Sequence, residues 1–92
     1  MIRIIKGRDT GKTRELMEEC AKNHGTFVCL NPHRMIEKSR AYGLTGFDII
    51  SYYDYIDNPS KKDSKYYIDE LEEFIYTVSN GDNLSGYTIS LE

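Results

Sequence analysis

The chain has 92 residues, of which 39% are hydrophobic and 29% charged, and its formal net charge is −3. This length fits one domain, 1–92, with a thin core, and the balance of apolar and charged residues is globular. The net charge gives no reason to expect nucleic acid as a partner, and no apolar run reaches the roughly 20 residues of a membrane span. Met1–Lys6 is too short and too quickly charged for a signal peptide, and Cys20 and Cys29 are too few for a disulfide framework. We therefore expect a cytoplasmic protein with structural cysteines.

The first elements along the chain are predicted to be a strand, a loop and a helix. Met1–Ile5 is an apolar run broken only by Arg3, which is typical of a mostly buried strand. A helix follows from Thr13, and Gly25 stands where a left-handed C-terminal cap usually falls. The apolar stripe of this helix consists of Leu16, Met17, Cys20 and Ala21.

The same alternation continues through the middle of the chain. Thr26–Leu30 predicts a second strand, and Asn31 followed by proline predicts the N-cap of a helix that ends by Gly43. Phe47–Ser51 predicts a third strand. Ser51, with an aspartate three residues later, predicts a capped helical turn over Tyr52–Ile56.

The last part of the chain is predicted to hold two more strands around a helix. The polar segment Asn58–Ser64 predicts a surface loop, and Lys65–Asp69 predicts a fourth strand. Leu71, Phe74, Ile75 and Val78 have helical spacing, and Tyr87–Leu91 predicts a fifth strand. We therefore expect an α/β fold: a mostly parallel five-stranded sheet with helices on both faces.

The loop between the first strand and the first helix has the composition of a phosphate-binding loop. Its sequence from Lys6 to Thr13 is KGRDTGKT. Backbone N–H groups and the positive end of a helix dipole attract an anion at such a place, and glycine lets the chain bend there. Lys12 can reach phosphate as a point charge, and the Thr13 hydroxyl suits Mg²⁺. The predicted nucleotide-binding residues are Gly7, Arg8, Asp9, Thr10, Gly11, Lys12, Thr13 and Arg14.

At these residues the chain resembles the P-loop NTPases, whose loop reads G-x-x-x-x-G-K-[ST]. Lys6 stands at the first glycine position, and Gly7 comes one residue later. The resemblance is to minimal RecA-like or helicase-like ATP-binding domains, of the kind seen in short phage or mobile-element proteins. It implies a reduced P-loop sandwich, ATP or GTP as ligand and Mg²⁺ as cofactor. The simpler interpretation is a strand-to-helix turn with a solvated lysine.

A second half of the motif follows downstream, in the segment Tyr66–Glu70 (YYIDE). It is similar to the apolar strand ending in two acids that accompanies the phosphate loop in that family. The resemblance implies that Asp69 and Thr13 hold Mg²⁺, with Asp69 acting through the water shell of the ion. It also implies that Glu70 positions or deprotonates the attacking water and that Lys12 assists catalysis. The simpler interpretation is that both acids merely begin a helix, where the dipole favours them.

Other polar and aromatic residues have weaker functional predictions. The resemblance suggests that Thr88 or Ser90, in the predicted last strand, senses the γ-phosphate, and Asn31 is placed to face the cleft. Tyr52, Tyr53 and Tyr55 form a cluster that either packs or presents a surface for a base or a partner. The arginines that could stabilise charge are Arg8, Arg14, Arg34 and Arg40, and the sequence does not place any of them as a trans-acting arginine finger.

Two classes of function follow from these observations. The first is a minimal ATPase or GTPase, slow by itself and completed by a homo-oligomer. The second is a small interaction or inhibitory protein that keeps a reduced P-loop fold and acts by protein contact.

Overall fold

Four helices alternate with three strands over the residues that this computed structural model describes, which are 1–7, 10–58 and 63–90. In chain order they are α1 (Lys12–Lys22), β1 (Thr26–Cys29), α2 (Pro32–Tyr42), β2 (Asp48–Ser51), α3 (Tyr52–Asp57), β3 (Tyr66–Ile68) and α4 (Leu71–Val78), followed by a 3-10 turn (Gly81–Asn83). Within these residues no helix has the length and apolar character needed to cross a bilayer.

The three strands form one parallel sheet in the order β2-β1-β3. Phe27 of the central strand lies in register with Ile49 on one side and Tyr67 on the other, so these three side chains share a face. Val28 points to the opposite face, and both Phe27 and Val28 are completely buried. The central strand is therefore covered by protein on both faces.

The prediction of a five-stranded sheet is wrong, because the described residues form three strands. Met1–Ile5 is not a strand, and neither is the described part of the predicted last strand, 87–90; Leu91 lies outside the described residues. The side chains of Ile5 and Ile89 are 77% and 60% exposed. An apolar, β-prone segment becomes a strand only where a neighbouring backbone offers hydrogen bonds, and these two segments pair with none of the three strands.

One face of the sheet packs against α1 and α2. Met17 and Cys20 of α1 form a buried cluster with Phe27 and Cys29 of β1. Partly buried side chains from α2 and from the flanking strands complete the cluster, among them Met35, Tyr42, Ile49 and Tyr67. The predicted helical stripe of α1 is therefore the stripe that enters the core.

The other face packs against α3 and α4, largely through aromatic rings. The rings of Tyr52 and Phe74 meet edge to face with centroids 5.1 Å apart. Tyr55 makes similar contacts with Tyr66 at 5.0 Å and with Phe74 at 5.9 Å. Such edge-to-face pairs contribute about 0.5–1.5 kcal/mol beyond the area they bury. Helices therefore lie on both faces of the sheet.

Two of the predicted helix starts are confirmed by their capping hydrogen bonds. The side chain of Asn31 accepts a hydrogen bond from the Arg34 N–H at 3.2 Å, and α2 ends at Gly43 in the left-handed conformation. The Ser51 hydroxyl accepts one from the Asp54 N–H at 3.0 Å. Local sequence was sufficient for both caps because each bond spans only three residues.

The predicted role of Gly25 as a left-handed cap is wrong. The C-cap of α1 is Asn23, and the left-handed residue is His24, with φ 52°. Gly25 is instead required for close approach, because a Cβ there would lie 2.9 Å from the carbonyl oxygen of Lys65 and 2.6 Å from the ring of Tyr67. The predicted loop at 58–64 falls mostly on 59–62, which lie outside the described residues.

Candidate functional site

A cleft of about 820 Å³ opens at the carboxyl end of the sheet, where parallel α/β folds bind their ligands. Three groups of residues surround it. We call Thr10–Arg14 the loop wall; Asn31, Arg34 and Lys38 the basic wall; and Asp69, Glu70 and Glu73 the acidic wall. Cys29 and Tyr52 lie beneath them. Since the loop wall and the acidic wall come from distant segments of the chain, the site forms only when the chain folds.

The loop wall is shaped by Gly11 and by a side-chain hydrogen bond. Gly11 is the N-cap of α1 with φ 77°, a conformation that costs other residues roughly 1–2 kcal/mol. No described residue lies within 4 Å of where its Cβ would be, and the positive φ is what favours glycine at this position. The Thr10 hydroxyl donates to the Gly7 carbonyl at 2.8 Å, which closes the turn before the helix.

The two predicted half-motifs meet at Thr13 and Asp69. The Thr13 hydroxyl lies 3.1 Å and 3.2 Å from the two carboxylate oxygens of Asp69, although the residues are 56 positions apart. Asp69 is only 8% exposed, and burial raises the pKa of its carboxyl above the usual range. The Thr13 hydroxyl opposes this pKa shift, Glu70 adds to it, and Lys12 and Lys38 oppose it more weakly.

Glu70 connects the acidic wall to the loop wall. Its carboxylate lies 3.3 Å from the Lys12 ammonium, and both side chains are partly exposed. Its backbone is left-handed, with φ 57°, at the N-cap of α4, and its side chain makes no capping hydrogen bond. A non-glycine residue in this conformation stores of order 1–3 kcal/mol of strain. The simpler interpretation, that Glu70 begins a helix, is also true of the structure.

Tyr52 supports the acidic wall from below, a role that the sequence did not reveal. Its hydroxyl donates to the carbonyl oxygens of Asp69, at 2.7 Å, and Glu70, at 3.3 Å, and the residue is 1% exposed. Of the tyrosine cluster, Tyr53 is 57% exposed, whereas Tyr55 is half-buried among rings. The cluster therefore packs, and it does not present three rings to solvent.

The basic wall lies on α2 at helical spacing. Arg34 and Lys38 are four residues apart and line the cleft with Asn31, whose predicted position at the cleft is observed. Lys38 is half-buried, and its charge reaches Asp69 across the cleft. The sequence offered Arg34 as one of four arginines and did not single out Lys38. The signal that could have found it is the spacing 31, 34, 38 along one face of a helix.

Several predicted site residues lie away from the cleft or outside the described residues. Gly7 does not line the cleft, and Lys6 is turned outward, with its ammonium 2.5 Å from the Glu15 carboxylate. Arg8 and Asp9 lie outside the described residues. Arg14 does line the cleft, and its guanidinium sits 4.8 Å from the centroid of the Tyr42 ring.

The predicted sensor residues, Thr88 and Ser90, are not at the site. Both are exposed, neither is in a strand, and neither lines the cleft. The prediction fails for the same reason as the fifth strand, since a sensor position requires that this segment pair beside the sheet. Arg40 is also outside the cleft, on the exposed part of α2.

Both cysteines are buried thiols. Burial raises the pKa of Cys20 to about 12 and that of Cys29 to about 12, so neither is a thiolate at neutral pH. Among the described residues no three side chains of the types His, Cys, Asp and Glu gather as a metal-binding group. The hard oxygen donors of Thr13 and Asp69 nevertheless suit Mg²⁺, which usually takes only one or two protein carboxylates and completes its shell with phosphates and water.

No family model matches the chain, and neither a curated protein nor a solved structure matches it significantly. The function is therefore inferred from the geometry of the cleft.

Proposed function

We propose that the cleft binds a nucleoside triphosphate, ATP or GTP, together with Mg²⁺. The observation that carries this proposal is the contact between the Thr13 hydroxyl and the Asp69 carboxylate at 3.1 Å. A turn with a solvated lysine requires no buried acid beside it. A site for Mg²⁺ and phosphate requires an oxygen donor from the loop and a carboxylate at the same point.

The loop wall supplies the groups that hold phosphate. The first N–H groups of an α-helix have no partner within the helix, and the residues at the start of α1 line the cleft, which brings the positive end of the helix dipole to it. Lys12 is only partly exposed and lies at the same helix end. Thr13 and Asp69 would hold Mg²⁺, which neutralises charge on the phosphate oxygens.

The Lys12–Glu70 ion pair suggests how binding prepares hydrolysis. Phosphate oxygens compete with Glu70 for Lys12, so nucleotide binding releases the Glu70 carboxylate. Glu70 then takes a proton from water as the water oxygen bonds to the γ-phosphorus. The bond from that phosphorus to the β–γ bridging oxygen breaks, and the products are a nucleoside diphosphate and inorganic phosphate. We expect slow turnover by the isolated chain.

A second candidate function is protein contact, through self-association or a partner. Large apolar side chains are exposed on α3 and α4: Tyr53, Ile56, Leu71 and Tyr76 have exposed fractions between 50% and 57%. These exposed apolar side chains favour a protein that acts by contact with another protein, whether or not a nucleotide occupies the cleft. The two free thiols suit a reducing, cytoplasmic setting for either function.

The proposal is tested by titrating the protein with ATP and GTP, each with and without Mg²⁺, in a calorimeter. We expect saturable binding that requires Mg²⁺. Lys12→Ala should weaken it by about 10- to 100-fold, since a hydrogen bond to a charged group contributes roughly 1.5–3 kcal/mol. The matched control is Lys22→Ala, which removes an exposed lysine at the far end of α1.

Two results would contradict the proposal. One is the absence of binding at millimolar nucleotide with Mg²⁺ present. The other is equal weakening by Lys12→Ala and Lys22→Ala, which would show a general effect of charge. In either case, sedimentation of the protein over a range of concentrations would test self-association, the form of the second candidate function that the chain alone can show.

A further inference from the structure

Two cations of the basic wall face the cleft without an acidic partner among the described residues. The other cations of the cleft have one, since Lys12 lies 3.3 Å from Glu70 and Arg14 lies 3.8 Å from Glu18. Arg34 and Lys38 form no ion pair with any residue that the structure describes. The lining of the cleft thus combines three acids, which follow β3, with two cations of α2 that have no ion pair among the described residues.

The position of these cations on α2 is set by helix geometry. Arg34 lies one turn before Lys38, and both follow the Asn31 cap, so the three residues line the cleft from one face of the helix. The first turn of α2 carries no acid, so nothing offsets the positive end of its dipole.

The charge of a triphosphate gives these cations a role. Mg²⁺ and Lys12 neutralise only part of the negative charge of the triphosphate. The three carboxylates of the acidic wall repel the phosphate that lies closest to them. That phosphate is the terminal one, because in the proposed hydrolysis Glu70 acts at the γ-phosphorus. Cations elsewhere in the lining of the cleft are therefore needed most at the γ-phosphate.

We propose that Arg34 and Lys38 form an anion subsite that holds the terminal phosphate of the nucleotide. This inference rests on the proposed function. It makes the two residues specificity determinants, which distinguish a triphosphate from a diphosphate by a contact that only the triphosphate can offer. It also places two cations of this same chain at the phosphate that is transferred.

The experiment compares the affinities for ATP and ADP, each with Mg²⁺, in four proteins: wild type, R34Q, K38Q and the double variant. The wild type should prefer ATP by about tenfold or more, as expected for one charge-assisted contact. Each single variant should lose part of this preference and the double variant most of it, while ADP affinity changes by less than about twofold. The matched control is R40Q, which removes an exposed arginine of the same helix outside the cleft and should behave as wild type.

The other outcomes separate this inference from the proposed function. Parallel losses of ATP and ADP affinity in the double variant would place the cations at inner phosphates and overturn the subsite. Unchanged affinities for both nucleotides would also overturn it, while the proposed function would stand. Failure of the wild type to bind either nucleotide would overturn both. Melting curves check that the variants fold, which their location on the rim of the cleft favours.

Discussion

The acidic and basic walls of the cleft differ in how their charges are partnered before any ligand arrives. Asp69 accepts the Thr13 hydroxyl and Glu70 faces Lys12, so most of the acidic wall is held by the loop wall. Arg34 and Lys38 have no such partner in the described part of the chain. The fold therefore fixes the acidic wall through contacts with the loop wall, whereas the charges of the basic wall remain available to bind an anionic ligand.

Burial explains why the two walls differ. Asp69 is 8% exposed and immediately follows a strand of the sheet, so its carboxylate requires a donor within the protein. Arg34 and Lys38 project from a helix at the rim, and water solvates their charges in the absence of a ligand.

Asp69→Asn should weaken Mg²⁺-dependent nucleotide binding by about 10- to 100-fold, because it removes the charge that faces the metal. Calorimetry with and without Mg²⁺ measures the effect, and Asp57→Asn, at the exposed end of α3, is the control. Equal affinities of Asp69→Asn and wild type would mean that the acidic wall does not serve a metal ion.

The same substitution should raise the stability of the unliganded protein at neutral pH. Burial raises the pKa of Asp69 in the folded state, so the folded protein binds a proton more readily than the unfolded chain. Wild-type stability should therefore fall as pH rises from near 4, the usual pKa of aspartate, through the raised value of the folded state. Denaturant titrations over this range should show a smaller fall for Asp69→Asn, and parallel curves would contradict the assignment.

Tyr52→Phe should reduce the free energy of unfolding by about 1–2 kcal/mol, because the carbonyl oxygens of Asp69 and Glu70 lose their hydroxyl donor. The ring remains, so the contact with Phe74 should persist. Urea denaturation measures the change, and Tyr53→Phe, next to it and exposed, is the control with an expected effect near zero. If both variants matched wild type, the acidic wall would not depend on the floor of the cleft.

Glu70→Gln should tighten nucleotide binding by about two- to fivefold, because the Lys12 ammonium is no longer shared with a carboxylate. The same variant should lose the phosphate release that wild type shows above the Lys12→Ala background, since glutamine cannot accept the proton of water. Paired affinity and phosphate-release assays measure both, with Glu72→Gln on the same helix as control. Retained turnover would remove Glu70 from catalysis.

Lys6→Gln should change the free energy of unfolding by about 0.5 kcal/mol or less and leave nucleotide affinity unchanged. Lys6 occupies the position that is glycine in the resembling loop, yet its ammonium pairs with Glu15 outside the cleft. A clear loss of affinity would place this side chain at the phosphates and extend the loop wall toward the N-terminus.

Part of the fold, and the segments that later form the site, could be predicted from local sequence wherever the relevant bonds span few residues. The caps at Asn31 and Ser51 each depend on a hydrogen bond within one turn. The inward stripe of α1 was predicted from its helical spacing, and its residues do enter the core. The glycine at position 11 could also be predicted locally, because the left-handed backbone just before Lys12 favours glycine. Local patterns were therefore enough to predict the helices, the loop before α1 and the acids that follow β3.

Only the tertiary structure decided which segments pair and which side chains reach the cleft. Met1–Ile5 resembles a strand in composition, but its hydrogen bonds depend on a neighbour distant in the chain, and none of the three described strands pairs with it. Tyr52 is adjacent to Tyr53, yet one is buried against the Asp69 carbonyl and the other is exposed. Lys38 became a site residue only when α2 packed against β1 and β2 and brought it to the cleft. Backbone conformation is set by near neighbours, whereas pairing and burial are set by residues far apart in sequence, and local patterns do not encode those.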